Sequence, residues 1–333
     1  MPRALCALLC ALGVAAIAAL PAGATYPGAN GPISYFKFDF ASETGEIYTA
    51  NADGSGEAQL TSSTPGVAVI SDWSPNGEWI AFDSDREGDV EIYKVRPDGG
   101  GLTQLTSDDF FDGFPNWSPD GTRIAWDHEG DNYPASQGIW TMKADGSDRF
   151  QVTSPPRGYA FDIEPVYSPD GEWIAFTRFK RCESRENPRF NVVTGCISAI
   201  HVVRTDGSGL RRLTEWGRTV ATPDWSPDGN LIAYHTGDAG TSMAIDIHVM
   251  RADGSGDRRL THNGPFFNHG KFTVVGSGNP VFSPDGTKIM FTQWFPDRPA
   301  QIMVMDADGS NIQAVTDNDD AFHNEADWGP LAD

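Results

Sequence analysis

The sequence predicts an all-β protein, a six-bladed β-propeller of four-stranded antiparallel blades. Three observations carry that expectation: a five-residue phrase recurs along the chain, short apolar strands alternate with tight turns, and the two ends hold halves of one further copy. The phrase, Trp-Ser-Pro-Asp-Gly or a near variant, stands at Trp73 to Gly77, Trp117 to Gly121, Tyr167 to Gly171, Trp225 to Gly229 and Phe282 to Gly286. A period of roughly 45–60 residues marks a repeat architecture.

Each repeat carries four signals in fixed order. A short apolar strand ends in the aromatic of the phrase, and Pro, Asp or Asn, then Gly make a tight turn, since Pro presets φ and Gly accepts a positive one. A second apolar strand follows: Ile80-Ala81-Phe82, Ile124-Ala125-Trp126, Ile174-Ala175-Phe176, Ile232-Ala233-Tyr234 and Ile289-Met290-Phe291. A third opens on Ile plus a large residue, as at Ile92-Tyr93 and Ile139-Trp140, and runs into an Asp-Gly turn. The fourth closes in Leu-Thr or Val-Thr, from Leu60-Thr61 to Val315-Thr316. Four antiparallel strands repeated radially make a propeller.

The ends fit the count of six. Asn30-Gly31-Pro32-Ile33 reads as the turn and second strand of a unit without its first strand, and Glu325 to Trp328 reads as that strand. The C-terminal strand is therefore expected to complete the N-terminal blade, leaving no exposed sheet edge.

Residues 1–24 read as a secretory signal peptide: Arg3, an apolar run from Ala4 to Leu20, then the small residues Ala22-Gly23-Ala24. A single membrane anchor is the competing reading of that run. Residues 25–333 are then one domain, secreted or held in the periplasm or cell envelope, without further membrane insertion. Cys182 and Cys196 form an even pair in an exported chain and are expected to be disulfide-bonded; unlinked thiols are the alternative. A formal net charge of −22 excludes nucleic acid as a partner and is compatible with cations or basic partners, most of it being solvated turn surface. The chain is expected to be monomeric.

This order of strand and turn signals, over residues 27–330, resembles the Tol-system propeller repeat, the WD-like repeat of the TolB family. The resemblance implies a closed propeller and a binding role. TolB carries an additional N-terminal domain for which no segment remains here, so the expectation is a TolB-like propeller without it.

Enzyme signatures are few. There is no Gly-x-Ser-x-Gly elbow, no Walker-type loop and no His-Glu-x-x-His. The Asp-Gly turns lack the downstream bidentate Glu of a calcium loop, and turn geometry already explains them. His201 and His248 fill places held by Tyr48, Tyr93 and Trp140 in other repeats and read as packing residues. The remaining histidines, His128, His235, His262, His269 and His323, fall where the repeat is broken, on the loop face opposite the phrase. Sites are usually built on such loops, at the mouth of a channel.

The candidate ligand-binding residues are accordingly Asp127, His128, Glu129, Glu164, Arg178, His235, Asp238 and Trp294. His235, His269 and His323 are the metal-ligand candidates, with Asp127 or Glu164 beside them. Trp294 would offer a stacking face and Arg178 an anion clamp. No cofactor is firmly implied; a divalent metal is the one these residues allow. The leading functional reading is an exported, non-enzymatic propeller that binds a protein or glycan through its loop face and channel mouth. The alternatives are a metal-assisted polysaccharide lyase or hydrolase with a His-rich site, and a structural component of a Tol-like envelope complex.

Overall fold

The recurring phrase folds as a self-contained turn, and its chemistry explains its wording. At Ser118 the N–H donates to the Arg123 carbonyl at 2.8 Å, and the hydroxyl accepts the Arg123 N–H at 2.9 Å. The same hydroxyl donates to Asp120 Oδ1 at 2.6 Å, which also accepts the Thr122 N–H at 3.0 Å. Ser168, Ser226 and Ser283 repeat this pattern. Gly121 is needed twice. Its φ is +68°, and a Cβ there would sit 3.3 Å from Pro75 of the preceding turn. Gly171 meets Pro119 and Gly77 meets Pro330 in the same way.

The computed structural model describes residues 27–63, 66–130, 136–180, 197–237, 244–264, 266–268, 271–273 and 275–331. The expected leader, Cys182, Cys196, Asp238 and His269 lie outside them. Every regular element among the described residues is a β-strand, and no helix is long and apolar enough to cross a membrane.

The strands form four-stranded antiparallel sheets in chain order, such as Ala68–Trp73, Ile80–Ser84, Glu91–Val95 and Thr103–Gln104. Two consecutive sheets are joined into one eight-stranded sheet by a short parallel pairing of Ala244 and Ile245 with Val275 and Gly276. The outermost strands are only two residues long, and the Thr of Leu-Thr extends their hold. In all six copies its hydroxyl accepts the N–H of the third-strand Ile, from Ile47–Thr61 at 3.0 Å to Ile302–Thr316 at 2.9 Å.

Strand Ala321–Pro330 pairs antiparallel with Asn30–Asp39, placing Trp328 opposite Ile33 and Asp327 opposite Ser34. The sheet order there runs from the C-terminal strand through Asn30–Asp39 and Thr44–Ala50 to Ala58–Gln59.

The core lies between sheets rather than within one. In each hydrophobic cluster the third-strand Ile of one repeat meets the phrase aromatic of the next: Ile47 with Trp73, Ile92 with Trp117, Ile139 with Tyr167, Ile200 with Trp225 and Ile247 with Phe282. Ile302 meets Trp328 in the same arrangement. All six aromatics are nearly fully buried.

Candidate functional site

The first strands of the repeats converge on one cavity of about 110 Å³ that opens to solvent. Its wall is built from three consecutive residues of each strand, 70–72, 114–116, 164–166, 222–224, 279–281 and 325–327. The backbone is irregular at this level. Pairing with the second strand shifts register between Gly113 and Asn116, Ile163 and Val166, Ala221 and Asp224, and Gly278 and Val281. Phe114, Glu164, Thr222, Asn279 and Glu325 have φ between +49° and +58°. A β-bulge re-aims a side chain and interrupts the ladder, so the prolines that follow, Pro115, Pro165, Pro223 and Pro280, forfeit no hydrogen bond there. A bulky or β-branched residue at positive φ is strained, and such strain concentrates at functional sites.

Two levels of polar groups line the wall. Nearer the phrase, side chains bridge consecutive repeats by accepting the N–H of the next aromatic. Asp327 accepts from Trp73 at 2.9 Å, Asp72 from Trp117 at 2.6 Å, Asn116 from Tyr167 at 2.9 Å and Asp224 from Phe282 at 2.7 Å. Val166 and Val281 hold the corresponding places and have no acceptor to offer.

The bulged residues form the other level with their second-strand neighbours. Asp83 accepts the N–H of Ile70 at 3.0 Å and that of Phe114 at 3.2 Å. Glu164 accepts the Thr177 hydroxyl at 2.7 Å and the Thr222 N–H at 2.8 Å. Asn279 donates to Glu325 at 2.7 Å.

Carboxylates enclosed together hold their protons. Burial, then repulsion from Glu164 and Asp83, pushes Glu325 up to about 8. Burial raises Asp83 to about 6 and also raises Glu164. Burial, then the Asp327 charge, raises Asp72.

The expected site residues divide into two groups. Glu164 lines the cavity itself. His235 Nδ1 pairs with the Thr222 hydroxyl at 2.8 Å, and both His235 and Trp294 lie against the face of Gly278, where a Cβ would clash with the Trp294 ring. Glu164, His235 and Trp294 are thus neighbours along one arc of the wall. Asp127 is buried with both carboxylate oxygens free of hydrogen bonds, and burial followed by the charges of Glu129 and Glu164 raises it well above the usual carboxyl range.

His128, Arg178 and His323 are engaged elsewhere. His128 pairs with Asp112 at 2.6 Å, and the His323 ring packs on Tyr35. Arg178 is buried and gives both arms of its guanidinium to Asp162, at 2.5 and 2.6 Å. An Arg178→Ala variant is expected to lose about 3–5 kcal/mol in urea unfolding, because Asp162 is left buried and unpaired. Among the described residues, neither His235 nor His323 falls in a group of three potential ligands; the set that does gather is Asp108, Asp112 and His128.

Several of these residues stand on strands rather than loops. Asp127, His128 and Glu129 close strand Arg123–Glu129, Arg178 lies in Trp173–Lys180, His235 in Leu231–Gly237 and Trp294 ends Lys288–Trp294. The second strands outrun their apolar signal because partner strands continue to offer backbone hydrogen bonds past the last apolar residue. Apart from Glu164, the residues missed in the sequence are the wall triplets, which carry their own signal: the three positions before each phrase aromatic, four of them with Pro in the middle.

A family model described as the TolB beta propeller domain matches residues 39–154. Over 158 residues the chain is 32% identical to a TolB homolog of Chlorobium luteolum, covering 47% of this chain and 31% of that protein. The chain spans less than half the length of the curated relatives it matches. Among solved structures, TolB from Acinetobacter baumannii is similar with a TM-score of 0.70 at 21% identity, over 90% of this chain and 67% of that one. An oligogalacturonate lyase in complex with manganese is similar at a TM-score of 0.55 and 15% identity, over 87% and 74% of the two chains. Likenesses at such identity are likenesses of fold alone. The phrase, the antiparallel four-stranded sheets and the matches to TolB agree, and the chain resembles the TolB-like β-propeller family.

Proposed function

We propose that this chain is an exported, non-enzymatic propeller of six blades, closed by its C-terminal strand, that binds a protein partner through its loop face and channel mouth. The observation that carries the reading is the acidic wall on which six strands converge, with Glu164, Glu325 and Asp224 facing one open cavity. Carboxyl groups forced to share that space gain most from a cation brought among them. A basic segment of a partner protein supplies such a charge on a chain long enough to enter the channel. Relatives named as Tol-Pal system proteins support a place in an envelope assembly. Glu164, His235 and Trp294 would form one side of the binding surface, and Asp238 and His269, outside the described residues, belong to the same proposed face. The lyase alternative rests on fold likeness only and is not carried further.

The test is capture by the immobilised chain from the envelope fraction of its own source. A basic partner is expected to be held at low salt and released at high salt, as electrostatic complementarity requires. A double variant, Glu164→Gln with Glu325→Gln, is expected to retain about a tenth of it or less. Equal retention by wild type and variant, or release by free glycan rather than by salt, would sink the reading.

A further inference from the structure

We infer that the junction between the repeats of Trp73 and Trp117 holds a divalent-cation site built from Asp108, Asp112 and His128. One ligand atom of each lies within 4.8 Å of the others. The site is separate from the proposed channel surface and does not depend on that reading.

Asp112 is the centre of the argument. It is fully buried near the start of strand Phe111–Trp117, directly opposite His128. Its Oδ1 accepts the Trp126 indole N–H at 2.8 Å and lies 2.6 Å from His128 Nδ1. Its Oδ2 is buried and accepts no hydrogen bond. An ionisable oxygen left in that condition is costly and calls for an explanation.

The next repeat places a carboxylate at the same position and shows one way of satisfying it. Asp162 opposite Arg178 occupies the register position of Asp112 opposite His128, one residue outward from Ile163–Thr177 and Gly113–Asp127 respectively. There a fixed cation takes both carboxylate oxygens, at 2.5 and 2.6 Å. An imidazole has one nitrogen for the purpose and leaves the other oxygen over. Where the repeat of Tyr167 carries its cation in the chain, the repeat of Trp117 is arranged to take one from solution.

The surroundings agree. Asp108, on the connection from Thr103–Gln104 to Phe111–Trp117, adds a second carboxylate from a partly exposed position. Glu91 accepts the Asp108 N–H on Oε1 at 2.7 Å, and its Oε2 is a second buried oxygen without a partner. Arg149 Nη1 is the cationic group at hand, 3.7 Å from Asp108 Oδ2 on a side chain 37% exposed, and its Nη2 donates to the Leu105 carbonyl at 2.9 Å. One imidazole with carboxylates is the donor set of Zn²⁺ or a similar transition cation, rather than the all-oxygen set preferred by Ca²⁺ or Mg²⁺.

The test uses the full chain, stripped with a chelator and titrated with Zn²⁺ by calorimetry. His128→Arg transplants the Arg178 solution into this repeat and is expected to remove one equivalent of bound zinc while the melting temperature holds or rises. Asp108→Asn, at a partly exposed position, is expected to weaken that equivalent about tenfold or more without loss of fold. With Co²⁺ as the probe, wild type shows a visible ligand-field band that His128→Arg lacks, and His235→Gln leaves both readouts unchanged. The inference is overturned if wild type binds no zinc, if the three proteins bind equal amounts, or if Ca²⁺ displaces Zn²⁺ at equal concentration.

Discussion

A chain ending at Asn324 is expected to lose cooperative unfolding altogether. The nine residues removed, 325–333, include most of the strand paired with Asn30–Asp39. With them go Trp328, buried with Ile33, Tyr35, Met290 and Ile302, and the Asp327 carboxylate that accepts the Trp73 N–H. Pro330, which packs on Gly77 of the next turn, is lost as well. Removing one buried Trp side chain typically costs about 3–5 kcal/mol, and a domain has roughly 5–15 kcal/mol in total. Losing the Trp together with its strand exceeds that margin. Near-ultraviolet circular dichroism and a thermal melt decide the matter. Trp328→Ala should still fold and melt early, while the shortened chain should show no transition. If the shortened chain melts like the full one, the proposed closure by the C-terminal strand is wrong.

Buried histidines and buried carboxyls are expected to give stability opposite pH dependences below pH 6.5, and above it the carboxyls are expected to make stability fall. Burial holds His201, His235 and His323 at about 4 in the fold. The unfolded chain protonates them near 6.5, so between pH 6.5 and 4 their contribution to stability falls with acidification, by up to about 3 kcal/mol per histidine. The channel carboxyls act the other way. Glu325 keeps its proton to about 8 and Asp83 to about 6, whereas both ionise near 4 when unfolded. Their contribution is therefore present at low pH and lost as pH rises through those folded values. The turn aspartates Asp53, Asp145 and Asp308, pulled down chiefly by bonds from Ser55, Ser147 and Ser310, matter only below their ordinary range.

Above pH 6.5 these three histidines are neutral in both states and the raised carboxyls continue to act. Urea unfolding should then lose about 2 kcal/mol between pH 6.5 and 8.5 through Glu325 alone, and Glu325→Gln should remove that part of the decline. A profile that is flat or rising above pH 6.5 would show that the channel carboxyls are ordinarily ionised.

What the sequence reveals and what it hides follow from one distinction. The phrase Ser-Pro-Asp-Gly, the Ile of the third strand and the Thr of the fourth are legible because each is satisfied within its own repeat or by the next copy, so the same residues must recur. The wall of the cavity is assembled from single triplets of six strands, and each position answers to a different neighbour. Glu164 is named from the sequence only as a carboxylate beside the histidine candidates, whereas Asp72 and Asp327 stand inside the repeat pattern with no mark of their own. Asp112 could not have been singled out, since its importance lies in what Arg178 does for Asp162 one repeat later, and that comparison needs the register. His128 and Arg178 fell in the same class in the sequence, as polar residues after an apolar strand. Only the pairing shows them to be two answers to one problem.

The two valines on the cavity wall change which atoms hold neighbouring repeats together. Asp327, Asp72 and Asn116 fasten three successive junctions beside the phrase aromatic, and Asp224 fastens one more. At the junctions before Trp225 and Trp328 the valines offer no acceptor, and the tie passes to the bulged residues, where Glu164 accepts the Thr222 N–H and Asn279 donates to Glu325. Two of the seams are thus tied by the same carboxyl groups that line the cavity, so a cation drawn among those carboxyls would compete for the atoms that hold the seams shut.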